Sequence, residues 1–402
     1  SGQAPPSRSL PLPEGALAGV TIVDLSMWAA APGGPGILAD LGAKVIKIEP
    51  LEGDPMGTPG ELFFRVTRGK QRISIDLKKP EGTKILHQIV AEADALVHNF
   101  RPGVPERLAL DYETLRKINP RLVYLYGASF GSSGPDAHRP AFDPVVSAMA
   151  GGEVLQAGEG NPPQQRQTTD HSALLGVAVA MLLGLRARDL TGEGQNLETT
   201  MLVSAAYLFS DDFLRYEGKP DRPVPDKGQY GLGALYRLYQ AKEGWVFLAV
   251  LSNGEWSAFC DAVGQPGWRD DPRFSTKEAR QANGKAIVAL LEPLFEERDA
   301  QEWEALLQAK DVACAVASGR WPDFLFDDWD GESAQRTTAF SYPGVGGVLQ
   351  SGMNVNLLST PGKVGVLEPL GTHSRPILED LGYSAGEIDE LKANNVVNWV
   401  EG

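Results

Sequence analysis

Cysteine and histidine are scarce in this 402-residue chain, with two of the first and five of the second. Cys260 and Cys314 stand too far apart for a CxxC motif, and the histidines form no HxxxH pair, so neither a metal site nor a disulfide framework is expected. Both thiols are expected free, in a reducing cytoplasm. Lys and Arg total 37 against 52 Asp and Glu, a formal charge of -15, and no run of cations forms a basic arm. That balance argues against a nucleic-acid partner. Long apolar runs are lacking too: the longest, Ala173 to Leu185, is too short to span a bilayer and is expected as a buried helix. The opening SGQAPPSRSLPLPEG has no signal-peptide core, and residues 1–17 read as a flexible lead-in.

What is present is alternation. GVTIVDL, residues 19–25, is a short β-rich run, and Val45 to Ile48 repeats it after APGGPGILADLGA, which can hold a helix. Ile73 to Leu77 precedes PEGTKILHQIVAEAD, where Pro80 suits a first helical turn and Ile85, Leu86, Ile89 and Val90 share one face. Ala95 to Val97 and LVYLYGA follow as strands, with helical material between. Strands alternating with helices predict an α/β fold with a parallel sheet covered on both faces. Two long helices are expected, Ser172 to Arg188 and Leu197 to Tyr216. Next comes a polar linker, 219–232, and then a smaller α+β domain over 233–330, opened by two strands around the turn Lys242-Glu243-Gly244. The large domain is thus read as 18–218, completed by a return segment, 331–402, with a helical tail that docks back on it. No repeat of fixed period is visible.

Several stretches invite a chemical reading. APGGPG, residues 31–36, lies where a phosphate loop would sit, but matches neither GxGxxG nor a P-loop, and reads better as a tight turn with close backbone approach. GASFGSSG, residues 127–134, lacks the GxSxG spacing of a nucleophile elbow. RVTRGKQR puts Arg65, Arg68, Lys70 and Arg72 within eight residues, either as a solvated, ion-paired turn or as a local anion site. NFRPGVPERL adds Arg101 and Arg107 at the end of a strand, where open α/β sheets place ligands. Asp170 stands before an apolar run, where a carboxylate caps a helix without any catalytic role, and His171 beside it is equally open.

Six collinear segments resemble the class III CoA-transferase family, which includes formyl-CoA transferase and carnitine CoA-transferase and is related to α-methylacyl-CoA racemase. They are LAGVTIVDLS; LADLGAKVIKIEP with GDP; RGKQRISIDLKKPEG; HNFRPGVPERLALDYETLRKINPRLVY; ASFGSSGP; and LTGEGQNLETTM. The tail LEPLGTHSRPILEDLGYSAGEIDELKANNVV fits as well. The resemblance implies a Rossmann-like large domain, an inserted small domain and an interlaced homodimer. It places the family's catalytic aspartate at Asp170, attacking an acyl-CoA thioester to give a mixed anhydride, with no metal and no nicotinamide. It aligns Lys70, Asn99, Phe100, Arg107 and Leu108 with CoA-binding positions. Amides at Trp28, Ala29 and Ala30 are implied as contacts for the developing oxyanion, and Asp143 as a residue orienting acceptor acid or water. Donor and acceptor would be an acyl-CoA and a carboxylic acid. Phe142 stands where racemising relatives carry the histidine that moves the α-proton, so a racemase or isomerase would need His138 or His171 as substitute. Met27 and Ala29 replace the His and Gln of formate-specific members, which points to a larger or less polar acyl group. YPGVGGVLQSG, residues 342–352, is a candidate for the lid that keeps water from the anhydride. The remaining alternative is an acyl-CoA-binding protein without activity.

Overall fold

A computed structural model describes residues 15–57, 61–165, 169–318 and 337–399. Most of the lead-in and the start of the return segment lie outside the described residues. The chain divides into two compact units: the described residues up to Ala150, 169–210 and 337–399 form one, and 151–165 with 211–318 form the other. The boundary differs from the sequence reading, which gave 151–166 to the large domain. Glu159 N–H donates to Pro225 O at 2.9 Å and Asn161 Nδ2 to Lys227 O at 2.7 Å, so this loop is hydrogen-bonded to the expected linker rather than left with the strands before it.

The first unit is built on a seven-stranded sheet. Its strands are β1 (Thr21–Asp24), β2 (Lys44–Glu49), β3 (Gln71–Ile75), β4 (Ala95–His98), β5 (Val123–Ala128) and β6 (Gln195–Thr200), with β13 (Val397–Asn398) added at one edge. The order is β13-β3-β2-β1-β4-β5-β6. All pairings are parallel except β13 with β3. β1 and β4 are buried almost throughout, as near-continuous apolar runs require in a sheet covered on both faces. One layer packs α3 (Pro80–Ala91) and the tail helices against the sheet: Ile85, Leu86, Ile89 and Val90 share a core with Ile377, Leu378 and Ile388. The helical tail therefore docks on this unit as expected, and it also contributes strand β13.

The opposite layer holds α1 (Ala30–Asp40) and α8 (Thr169–Thr191), with Leu38, Val177, Ala178 and Met181 in one core. Here the APGGPG stretch is neither turn nor phosphate loop, since it lies inside α1. A side chain at Gly33 would come within 2.7 Å of Leu174 Cβ, and one at Gly34 within 2.4 Å of Val177 Cγ1. The glycines let two helices approach closely. One expected helix is corrected in part, because Gln195–Thr200 pairs with β5 as an edge strand and the helix that follows, α9 (Met201–Leu208), begins only after it. NLETT is rich in β-branched residues and alternates in burial, and strand pairing decided the outcome.

The second unit has a four-stranded antiparallel sheet in the order β10-β9-β8-β7. Its strands are β7 (Gly231–Gly233), β8 (Tyr236–Gln240), β9 (Trp245–Ala249) and β10 (Ala313–Val316). Helices Asn253–Ala262, Gly284–Phe295 and Ala300–Gln308 pack on it around Tyr239, Phe259, Phe295 and Trp303. Cys260 and Cys314 are buried there as free thiols, and burial pushes each up to about 12. No described helix is long and apolar enough to cross a membrane.

Candidate active site

The strand order reverses direction between β1 and β4, and in open α/β sheets a crevice forms at such a point beyond the carboxyl ends of the strands. β1 runs into Leu25-Ser26-Met27-Trp28, and β4 into Asn99-Phe100-Arg101-Pro102. The two segments are tied to each other: Met27 N–H donates to Asn99 Oδ1 at 3.0 Å, and Asn99 Nδ2 donates to Met27 O at 2.8 Å.

Buried charges fix the rest of the first segment. Lys47 Nζ donates to Ser26 O at 2.8 Å and to Asp54 Oδ2 at 3.3 Å. The Asp54 carboxylate accepts the Trp28 N–H on both oxygens, each at 3.2 Å. Lys70 Nζ reaches Asp24 Oδ2 and Pro32 O, both at 2.7 Å. Burial alone would raise the Asp24 carboxyl, but the Lys70 and Lys47 ammoniums outweigh it and hold Asp24 below the usual carboxylate range. Trp28 itself sits at φ +69°, a left-handed conformation that bulky residues seldom adopt.

Above this frame lies a pocket of about 420 Å³, lined by Met27 to Ala30, Met56, Leu62, Asn99, Arg101, Phe130, Phe142, Asp143, Asp170, His171 and Met201, among others. Asp170 is the second residue of α8, inside the first turn rather than at the cap position, and its carboxyl has no hydrogen-bond partner among the described residues. Its backbone N–H donates to Asp143 Oδ2 at 2.8 Å. Burial first, and then the Asp143 charge, push the Asp170 carboxyl up to about 6. The other Asp143 oxygen is buried without a partner among the described residues. Ala29 and Ala30, at the N-terminus of α1, bring amides that have no intrahelical acceptor to the same pocket. A half-buried carboxylate beside such amides has what a nucleophile toward a polarised carbonyl needs.

The other sequence candidates divide between two cavities. Phe100, Arg107 and Leu108 line a second cleft, of about 620 Å³, with Lys78, Leu77 and Pro50. Met27 lines both cavities, so they adjoin. Asn99 lines the first, but its amide is committed to Met27. Lys70 lines neither; it is fully enclosed, ion-paired to Asp24, and supports the site from beneath. The anion-site reading of RVTRGKQR fails on the same ground: Arg72 grips Glu49 through two bonds of 2.7 Å, while Arg68 and Arg65 lie against Asp40. Three of the four cations are buried rather than solvated. Lys78, which sequence reasoning passed over, carries a positional signal, since it lies in the loop just past the carboxyl end of β3, after Asp76 and Leu77. His98 is buried between Phe100 and Tyr126, at 5.6 and 5.0 Å, and burial pushes it down to about 3, so the ring is neutral. His138 does not line the pocket, whereas His171 does. The candidate lid is the hairpin β11 (Thr337–Tyr342) to β12 (Gly346–Ser351). Phe340 and Tyr342 pack on Phe64 of helix α2 (Glu61–Thr67), and no residue of 342–352 lines the pocket.

Comparison with known proteins bears on the family of the chain. The sequence profile of CoA-transferase family III matches residues 17–374. An acetyl-CoA:oxalate CoA-transferase of Acetobacter aceti is 35% identical over 303 residues, covering 72% of this chain and 78% of the relative. A (R)-2-hydroxy-4-methylpentanoate CoA-transferase of Clostridioides difficile is 27% identical, covering 95% of this chain and 100% of its own. The crystal structure of a CAIB/BAIF family protein from Brucella suis superposes with a TM-score of 0.79 at 27% identity, over 92% of this chain and 100% of that one. A profile spanning both central strands, the clamped turn and α8 leaves one assignment: this chain belongs to CoA-transferase family III.

Proposed function

We propose that the protein moves CoA from an acyl-CoA to an acceptor carboxylic acid through a mixed anhydride on Asp170. The observation that carries this reading is the Asp170 carboxyl itself, unpaired in a pocket it shares with the amides of Ala29 and Ala30. An Asp170 oxygen attacks the thioester carbonyl, the C–S bond breaks, and CoA leaves as thiolate. The thiolate then attacks the aspartyl carbonyl of the anhydride, releasing the first acid and leaving an aspartyl-CoA thioester. The acceptor carboxylate attacks that thioester, forming a second anhydride and freeing the thiolate again. Attack of the thiolate on the new acyl carbonyl gives the product and restores Asp170. Each step exchanges one acyl bond for another, so no ATP is consumed.

Ala29 and Ala30 supply the oxyanion donors. The Trp28 amide is already held by Asp54, so that residue contributes its ring rather than its N–H. Asp143 orients Asp170 and the acceptor. CoA enters along the second cleft, its phosphates met by Arg107 and Lys78 and its thiol end reaching Met27 and Asn99. A homodimer fits the outer face of α8, where Leu175, Val179, Leu183 and Leu190 are exposed, along with Tyr207 of α9 at 84%. A stripe of that size on one helix is a surface for a second copy. The buried free thiols fit a reducing cytoplasm. α-Proton transfer would have to run through His171, which lines the pocket, because Phe142 has no proton to exchange.

Incubation with acyl-CoA and hydroxylamine should trap a hydroxamate on Asp170, seen by peptide mass spectrometry. Full exchange activity in Asp170→Ala would refute the mechanism, and solvent deuterium entering acyl-CoA without an acceptor acid would favour an isomerase.

A further inference from the structure

Two aromatic rings in the pocket take no part in the bond changes above. Trp28 and Phe142 meet edge to face, centroids 5.1 Å apart at 82°, yet they remain 41% and 55% exposed. Aromatic side chains are large apolar surfaces that folding ordinarily covers, and here two are left facing the cavity that holds Asp170. Trp28 is not placed there by relaxed backbone, because its φ of +69° is disfavoured for any residue with a large side chain. The turn is held from several directions: Lys47 on Ser26 O, Asn99 on both polar groups of Met27, Asp54 on the Trp28 N–H, and Lys70 on Pro32 O. Strained backbone that the surroundings over-determine in this way is a feature of functional sites.

We propose that Trp28, locked by Asp54, and Phe142 form an aromatic wall that selects an acid with a bulky apolar group, aryl or branched alkyl, beyond its carboxyl. The proposal rests on Asp170 as the acyl-accepting residue and adds what the acyl group must look like. Met27, Leu62, Phe130 and Met201 extend the apolar lining from the two rings. Asp143 and Asp170 put two carboxylates in the same cavity, which repels a second carboxylate on the substrate. Of the two arginines there, Arg139 is already matched by Asp136 at 3.3 Å. Asp54 is a positioning residue: it touches the turn and not the substrate.

The test is an exchange assay from acetyl-CoA to phenylacetate, isobutyrate, propionate, succinate and oxalate, with kcat and KM measured for each acid. The wild type should prefer phenylacetate or isobutyrate to propionate. Glycine suits a φ of +69°, so Trp28→Gly keeps the turn while deleting the ring, and should lower that preference about tenfold, mainly through KM. Phe142→Ala should do the same. Both rings are substantially exposed, so neither change opens a core. Asp54→Asn keeps an acceptor for the Trp28 amide and should retain the preference that Asp54→Ala loses, a rescue that a merely structural role would not produce. A wild type that prefers succinate or oxalate, or takes neither phenylacetate nor isobutyrate, overturns the proposal. So does a preference that stays within twofold in both ring variants. Hydroxylamine trapping at Asp170 separates the two claims: if it succeeds while acid preference is unaffected by the rings, the wall fails and the nucleophile stands.

Discussion

The Asp170 carboxyl should make the protein less stable at neutral pH than it would be without that charge, and Asp170→Asn should reveal this. Burial and the neighbouring Asp143 raise the group from 3.8 to about 6 in the folded chain. A carboxyl raised by folding favours the native state in its protonated form. That contribution is complete below the unfolded value of 3.8 and is lost as pH rises through about 6. At about 1.4 kcal/mol per pH unit, the loss amounts to about 3 kcal/mol. Two effects reduce it: water reaches the half-buried group, and the helix N-terminus favours the anion by about 0.3–1 kcal/mol. Asparagine, which mimics the protonated side chain at every pH, should therefore stabilise the protein by about 1–2 kcal/mol at pH 8, with the gain shrinking as pH falls and gone below 3.8. Thermal unfolding of both proteins across that range, in the absence of CoA, measures the difference directly. A variant less stable than wild type at pH 8, or a difference that does not change with pH, would show that Asp170 is not held in an environment hostile to its charge. The same substitution should abolish transfer, as expected where an active site is kept at some cost to stability.

Asp143→Asn should move the acid limb of kcat/KM below about 6, because it removes the second cause of the Asp170 shift, while burial keeps the limb above 3.8; a pH–rate profile reads this. Lys70→Met leaves Asp24 buried without its closest cation and should cost about 3–5 kcal/mol in a denaturant titration, much of it recovered in the double variant Lys70→Met with Asp24→Asn. If Lys70 instead bound CoA, that change would raise the KM for acyl-CoA without such a loss. Arg107→Ala and Lys78→Ala should each weaken CoA binding about tenfold, roughly 1.4 kcal/mol, with the loss shrinking at high salt, as calorimetry can show.

The strands and helices of the first unit were largely legible from local pattern. Ile85, Leu86, Ile89 and Val90 mark one face of α3, and short Val/Ile/Leu runs mark β1, β2 and β4, because side-chain periodicity depends on neighbours a few residues away. The motif series identified the family, and it singled out Asp170, Asn99 and Arg107 as expected site residues. Sequence could not show what those residues touch. Lys70 stands in a cationic stretch and looks available to a phosphate, yet it is spent on Asp24, 46 positions earlier. APGGPG looks like a loop, yet it forms a helix because Leu174 and Val177 lie against its glycines. Gln195–Thr200 could extend a helix until β5 offers it a hydrogen-bonding edge. Residues far apart in the chain also set the left-handed turn at Trp28, the unpaired carboxyl of Asp170 and its raised pKa. Local propensity carries no record of such neighbours; packing, burial and charge pairing are settled only when the sheet brings the ends of β1 and β4 together.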